Sequence, residues 1–392
     1  MKGKWILAGF VITVLIVLNF ECFARAETPV LKIGFTGPLS GAGMPWGYGQ
    51  MAGLQLAMDD INKAGGLKVG KTLYTLKDIS YDTKYSADAG VTAAKRLIFE
   101  DKVKIIFGEP SAAVGVAMVA ITEQQKVIFM PVGYTRRLLG PDKPYTFRFS
   151  PTNFEVSGPI YAYLRREFPE AKRLVYVWAN DETGQQMYDW VKKKCAPENG
   201  FEVIDIVHER GTVDMTPIAT KIIAANGDIV DLDGTLPGDK AQIINTLRSM
   251  GYNKTVLHGG WTPCEDLIAI CGKNANGFIC HEFADFTGPN WAVLVEKYRA
   301  KKYSPLPKTN MLPSYDGAMI LFKAIQKAGA VDDTDAIRKG LESIKSYEGL
   351  DGTVGWAGKE LYGINHQLMR PIPMVKIVDE KPTIIFKLKA EF

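Results

Sequence analysis

Histidine is scarce in this chain, with four in 392 residues. His208, His258, His281 and His366 lie near no G-x-S-x-G or comparable motif, so the nucleophile–base pair that covalent catalysis needs has no local signature. An enzyme is the weaker expectation. Charge of one sign is also missing: the formal net charge is +4 and there is no basic block, which removes nucleic acid as an expected partner. No Cys-x-x-Cys or His-x-x-x-His spacing occurs, and no low-complexity segment. Beyond the N-terminus, no apolar stretch is long enough to cross a bilayer.

The N-terminus reads as an export leader. Lys2 and Lys4 precede an apolar run over residues 5–20, with Thr13 inside it, and Ala24-Arg25-Ala26 is a small-x-small cleavage signal before Glu27. That run is short for a spanning helix, which takes about 20 residues, so an uncleaved anchor is the alternative rather than the expectation. Lipid modification at Cys22 is disfavoured by the charged Glu21 before it. Removing Lys2, Lys4, Glu21 and Arg25 with the leader takes the formal charge from +4 to +2, and the mature chain 27–392 is expected to be soluble. Cys195, Cys264, Cys271 and Cys280 remain, and export permits a disulfide. Three of them fall between 264 and 280, so one local bridge is expected, with the pairing open. His258 and His281 bracket the same segment. A metal site is the alternative, and no metal and no cofactor are expected.

Strand-like and helix-like stretches alternate. Segments 30–35, 73–81, 103–107 and 127–130 are short and β-rich, while 50–63, 86–100 and 114–125 carry helical spacing, for instance Met51, Leu54, Ala57, Met58 and Ile61. A second series has strands at 173–178, 201–207, 229–232 and 255–258, and helices at 152–168, 184–194, 217–225 and 240–251. This order predicts two α/β lobes, each a doubly wound parallel sheet covered on both faces. Helices at 291–302, 315–328 and 335–343 then break the alternation before strand-rich sequence at 374–388. They must pack on a sheet already made, so the chain is expected to cross between lobes more than once.

Gly65 to Thr72 matches the phosphate-loop pattern G-x-x-x-x-G-K-[ST] letter for letter. A phosphate loop follows a strand and opens a helix. Here a helix ends near Lys63 and a strand begins near Leu73, so the run reads as a helix C-cap and a turn.

An ordered set of short stretches resembles one family. Ile33-Gly34-Phe35-Thr36-Gly37-Pro38-Leu39-Ser40-Gly41, the run from Ala57 to Gly66, the helix approach over 82–97, Ile105-Ile106-Phe107-Gly108, and Ser314-Tyr315-Asp316-Gly317-Ala318 are similar to the branched-chain amino-acid type of ABC-transporter solute-binding proteins. The resemblance implies the type I periplasmic-binding fold, two lobes joined by a three-crossing hinge. It puts the first lobe at 27–148 and 284–352, and the second at 149–283 and 353–392. It implies a small carboxylate-bearing ligand held between the lobes, and ABC permease subunits as partners in the periplasm. A ligand-sensing receptor of the same fold is the rival reading.

The resemblance also carries residues. Ser111, Ala112 and Ala113, at a helix start after a strand, stand where the family grips its ligand carboxylate, and a Ser hydroxyl with free N–H groups can do so without a cation. A plain N-cap serine is the bland alternative. Gly133, Tyr134 and Thr135 match the second contact loop, and Trp46, in the loop expected after the first strand, stands where the family puts an aromatic wall. From the second lobe, Thr183, then Thr235 with Leu236, match contact loops, and Asp231 and Asp233 could reach the cleft or cap strand ends. In His258-Gly259-Gly260-Trp261 the chain departs from the family: amino-acid binders place an acid near Trp261 to pair with the ligand ammonium. Glu265 and Asp266 could substitute. With Trp46 and Trp261 on opposite lobes, an aromatic or other organic acid competes with a branched-chain amino acid.

Overall fold

A computed structural model describes residues 28–41, 43–209, 212–235, 237–301 and 310–392. The leader, its cleavage point and Cys22 lie outside these, as does Leu236. Two sheets organise the chain. The first has the order Leu67–Val69, Thr72–Asp82, Val30–Gly37, Ile105–Gly108, Ile128–Met130, parallel except for the Leu67–Val69 edge. The second has the order Lys381–Leu388, Ile372–Val378, Ile279–His281, Thr255–Trp261, Ile229–Asp231, Arg173–Ala179, Glu202–His208; its last five strands are parallel and its first two antiparallel.

Strict residue alternation explains why both faces are covered. In Ile105–Gly108 every residue is buried. Ile105 and Phe107 join the core built with helices Met44–Lys63 and Met311–Ala328, whereas Ile106 joins the opposite core with Ala87–Lys95 and Ala112–Gln124. Arg173–Ala179 repeats the device: Val175 and Val177 face Thr216–Ala225 and Pro237–Ser249, while Leu174, Tyr176 and Trp178 face Asn153–Glu167. A parallel strand buried on both sides must be apolar at nearly every position, which is what these sequences supply.

Three crossings join the sheets, and the first and third are pinned by buried charge. The first-lobe core runs to Phe149 and resumes at Ala284. The residues after 352 do not leave it at once: Val354, Trp356 and Leu368 pack there, and the second-lobe cores resume only at Ile372 and Met374. The reason is a small antiparallel sheet of Tyr347–Gly349, Gly352–Ala357 and Gln367–Met369, whose Trp356 meets Phe147 with ring centroids 5.2 Å apart. Arg148, fully buried in the first crossing, donates to the carbonyls of Gly133 (3.3 Å) and Thr135 (2.9 Å), to Glu155 (3.2 Å), and to Tyr362 and Gln367. Glu155 also completes the capping box that starts Asn153–Glu167, its other oxygen accepting the Thr152 N–H at 2.6 Å. Arg370 in the third crossing pairs with Asp316 at 3.2 Å, both buried.

The phosphate-loop lookalike is a helix end followed by a hairpin. Gly65 and Gly66 have φ of +103° and +105°, and Leu67–Val69 turns at Gly70 into Thr72–Asp82 as an antiparallel pair. A Cβ on Gly66 would lie 2.7 Å from the Tyr74 carbonyl oxygen. No helix follows it, so main-chain donors are not gathered for a phosphate.

Candidate ligand-binding cleft

The carboxyl ends of the parallel strands in each sheet form a rim, where ligands of open α/β sheets bind. The rims touch: Thr135 Oγ1 donates to Gln186 Oε1 at 3.3 Å, the Arg136 N–H reaches the same oxygen at 3.4 Å, and the Arg136 guanidinium lies 5.5 Å from the Trp190 ring centre.

On the first rim, Ile105–Gly108 ends at Glu109, a non-glycine residue at φ +87°. Two residues later Ser111 caps Ala112–Gln124, its Oγ accepting the Val114 N–H at 3.4 Å. Ser111 is 3% exposed, Ala112 half-buried and Ala113 exposed. The Ser111 N–H donates to Glu109 Oε1 at 2.9 Å, and the buried Thr83 hydroxyl is the other donor acting on this carboxyl. Burial pushes the Glu109 carboxyl up to about 7, against the pull of the Ser111 N–H.

Gly133 brings the second loop against this one, because a Cβ there would stand 3.0 Å from Ala112 Cα and 3.2 Å from the Ser111 carbonyl oxygen. Tyr134 packs its ring on the first-lobe core, and its hydroxyl is buried without a partner among the described residues. Burial holds that phenol well above its ordinary range, with Arg148 opposing and Glu155 and Asp233 adding to the rise, so it stays a donor. Thr135 is buried and its hydroxyl is engaged by Gln186 and the Arg137 N–H. Trp46 differs from expectation. It is not in a loop but in the first turn of Met44–Lys63, half-buried, with its ring 5.7 Å from Tyr85.

The second rim is a network of satisfied charge. Asp231 accepts from the Asp233 and Gly259 N–H groups, both at 2.9 Å, and from Tyr161 at 2.6 Å. Asp233 accepts from Asn153 (2.6 Å), the Gly234 N–H (2.8 Å) and Tyr176 (3.2 Å). Both are fully buried, and that desolvation holds each carboxyl above its ordinary range. They brace strand ends. Gly260 makes room for this, since a Cβ there would lie 2.3 Å from Asn153 Nδ2. Lys240, buried and pushed down to about 8 by desolvation, donates to Thr262 at 2.8 Å. Burial drives His258 well down and His281 to about 3; both are neutral rings.

Trp261 donates Nε1–H to Glu282 at 3.0 Å and packs 4.6 Å from Phe283, half-buried. Thr183 is half-buried in the first turn of Glu182–Trp190, whose cap Asp181 accepts the Gly184 N–H at 2.9 Å. Thr235 is buried and donates back to the Leu232 carbonyl at 2.6 Å, inside its own turn. The structure therefore gathers Ser111, Ala112, Gly133 and Tyr134 on one rim, and Thr183, Thr235 and Trp261 on the other. A separate recess of about 620 Å³, lined by Glu342, Trp356, His366 and Phe392 among others, carries none of these groups. Among the described residues, no cluster of three or more His, Cys, Asp or Glu could hold a metal, and no helix is long and apolar enough to cross a membrane.

A family profile described as periplasmic binding protein matches residues 30–382. The chain belongs to that family. A Leu/Ile/Val-binding protein homologue of Brucella melitensis is 24% identical, aligning over 86% of this chain and 89% of its own. A leucine binding protein from Thermotoga maritima superposes with TM-score 0.77 at 20% identity, covering 92% of this chain and 99% of its own. An ABC-transporter solute binding protein from R. palustris, solved with 4-hydroxybenzoate, superposes with TM-score 0.76 at 19% identity, covering 92% and 97%. These likenesses establish the periplasmic-binding fold, two lobes about a cleft.

Sequence reasoning missed Arg148, Glu282 and Asn153. Arg148 had a local signal, a charge set between Phe147 and Phe149. Glu282 and Asn153 had none, because their partners lie far along the chain.

Proposed function

We propose that this periplasmic binding protein is exported, with its leader cut after Ala26, and serves as the solute-binding component of an ABC importer. It captures a small carboxylate by hinge closure, delivers it to permease subunits, and performs no chemistry on it. The first lobe comprises residues 27–149 and 284–370 and the second the remainder, a division supported by where the cores change. The carboxylate is gripped by the Ser111 cap, the N–H groups of Ala112 and Ala113, and Tyr134. Trp46 and Trp261 flank its apolar body, and the loops at Thr183 and Thr235, with Leu236, complete the second wall. The ligand stabilises the closed form by touching both lobes.

One observation carries the ligand class. Asp231, Asp233 and Glu282 have both carboxylate oxygens occupied by protein donors, and Trp261 stands where an ammonium partner is expected. A flat acid without an ammonium, such as a benzoate, fits best. A branched-chain amino acid is the second reading, favoured by Asp239, whose Oδ2 is buried without a hydrogen-bond partner among the described residues. A thermal-shift comparison of benzoate, 4-hydroxybenzoate, leucine and isoleucine separates the two, because a ligand bound only by the native state raises Tm. A rise with the benzoates alone supports the first reading. A rise with leucine that Asp239→Asn abolishes supports the second. No rise with any of the four removes the carboxylate assignment.

A further inference from the structure

Helix Cys264–Cys271 opens directly behind Trp261, and strand Ile279–His281 runs beside Thr255–Trp261. Cys264, the first residue of that helix, and Cys280, the middle of that strand, bring their sulfurs to 2.8 Å. The covalent separation is about 2.05 Å. Both residues are buried, and both backbones are held. The Cys264 N–H donates to Glu282 Oε1 at 3.2 Å, and Cys280 pairs in register with Val375 of the neighbouring strand. The other two cysteines have different company. Cys271 Sγ donates to the Ala241 carbonyl at 3.6 Å, and Cys195 packs in the core beneath Asn153–Glu167.

We propose that Cys264 and Cys280 form a disulfide in the exported protein while Cys195 and Cys271 remain thiols. Export is part of the function proposed above, and the bridge rests on it, since disulfides persist outside the cytoplasm. The oxidant is a protein disulfide donor. One cysteine thiolate attacks the donor disulfide and expels one donor thiolate, leaving a mixed disulfide. The second thiolate attacks the bound cysteine sulfur and expels the other donor thiolate. The two cysteines lose two electrons and two protons, and the donor takes up both as a dithiol. Contact with Cys280 and then burial hold the Cys264 thiol far above its ordinary range, and burial raises Cys280, so the exchange belongs to the folding chain, before this core closes.

The bridge has a place in the cleft. Glu282 accepts the Cys264 N–H and the Trp261 Nε1–H on its two oxygens, so the corner that the disulfide fastens is the one that orients Trp261.

The test uses protein isolated from the extracytoplasmic fraction without reductant and denatured in an alkylating agent. Expected are two alkylated cysteines, Cys195 and Cys271, and a mapped peptide joining Cys264 to Cys280 that reductant releases. The double variant C264S/C280S is expected to lose several degrees in Tm, the usual consequence of removing a short-loop bridge, and reductant should lower the wild type equally. Four alkylated cysteines, or a bridge of any other pairing, overturns the proposal, and so does absence of the chain from that fraction. Thiol counting needs no ligand, so a failed bridge and a failed ligand assignment are read apart.

Discussion

The first rim offers one buried carboxyl, Glu109, among hydroxyls and main-chain donors, whereas the second holds Asp231, Asp233, Lys240, His258, His281 and Glu282. Charge in a low-dielectric site is costly unless paired, and the second rim pairs or neutralises its own. Its tyrosines, its Asn153 and its strand-end N–H groups serve its own carboxylates. Among the described residues the Tyr134 hydroxyl is left without a partner on the first rim, and Asn153 Oδ1, Asp239 Oδ2 and both His281 ring nitrogens on the second. The first rim is thus close to neutral, and the second is a densely charged wall.

Breaking the joint between the rims should have the largest effect. Arg148→Met strands Glu155 and the carbonyls of Gly133 and Thr135 inside the crossing, and about 3–5 kcal/mol of unfolding free energy should be lost. Urea denaturation measures it, and a loss below about 1 kcal/mol would mean that the rims do not depend on this clamp.

Next is the asymmetry in recognition. Ser111→Ala should weaken ligand binding tenfold or more, about 1.4 kcal/mol, in calorimetric titration. It should also lose about 1 kcal/mol of helix capping. Unchanged affinity with the capping loss intact would reduce Ser111 to a structural cap.

The pH dependence sharpens the comparison further. Glu109, pushed up to about 7, and Asp231, also raised by burial, both sit above their unfolded values, so the folded chain keeps protons that the unfolded chain releases. Their contribution to stability is fullest below about pH 4, falls as pH rises to 7, and is level above that. Glu109→Gln removes one such group. It should raise Tm by a few degrees at pH 8 and leave it near wild type at pH 4. A pH-independent difference would place the benefit in packing instead.

The smallest effect is expected at the contact between rims. Thr135→Val removes the donor to Gln186 and should cost under about 1 kcal/mol, with the free protein more open in solution scattering. Unchanged scattering would mean that this hydrogen bond does not hold the lobes.

Much of this was legible in order and period. The central parallel strands, such as Ile105–Gly108 and Ile128–Met130, read correctly because each is short, apolar and bounded by turn residues. The cap at Ser111 was legible because a strand end meeting a helix start is itself a pattern, whereas Gly133 entered only through the family resemblance. Trp46 misled, since Met44-Pro45-Trp46-Gly47 looks like a loop. In fact Pro45 occupies the first helical turn, where a missing N–H costs nothing, and Gly47 admits the Pro38 carbonyl, which a Cβ would meet at 2.0 Å. Val354, Trp356 and Leu368 pack in the core of the first sheet, which the strand-like sequence over 353–369 does not announce, because nothing local says which sheet such strands join.

The amino-acid sequence by itself determined the two alternating α/β series, the rims at the strand ends and the turn that imitates a phosphate loop, because period, capping and turn chemistry act over a few neighbours. Only tertiary structure decided that Asp231 and Asp233 brace strands, that Arg148 ties Gly133 and Thr135 to Glu155 and Tyr362, and that Cys264 meets Cys280. Burial and partnership set what a charge or a thiol can do, and both come from residues tens to hundreds of positions away.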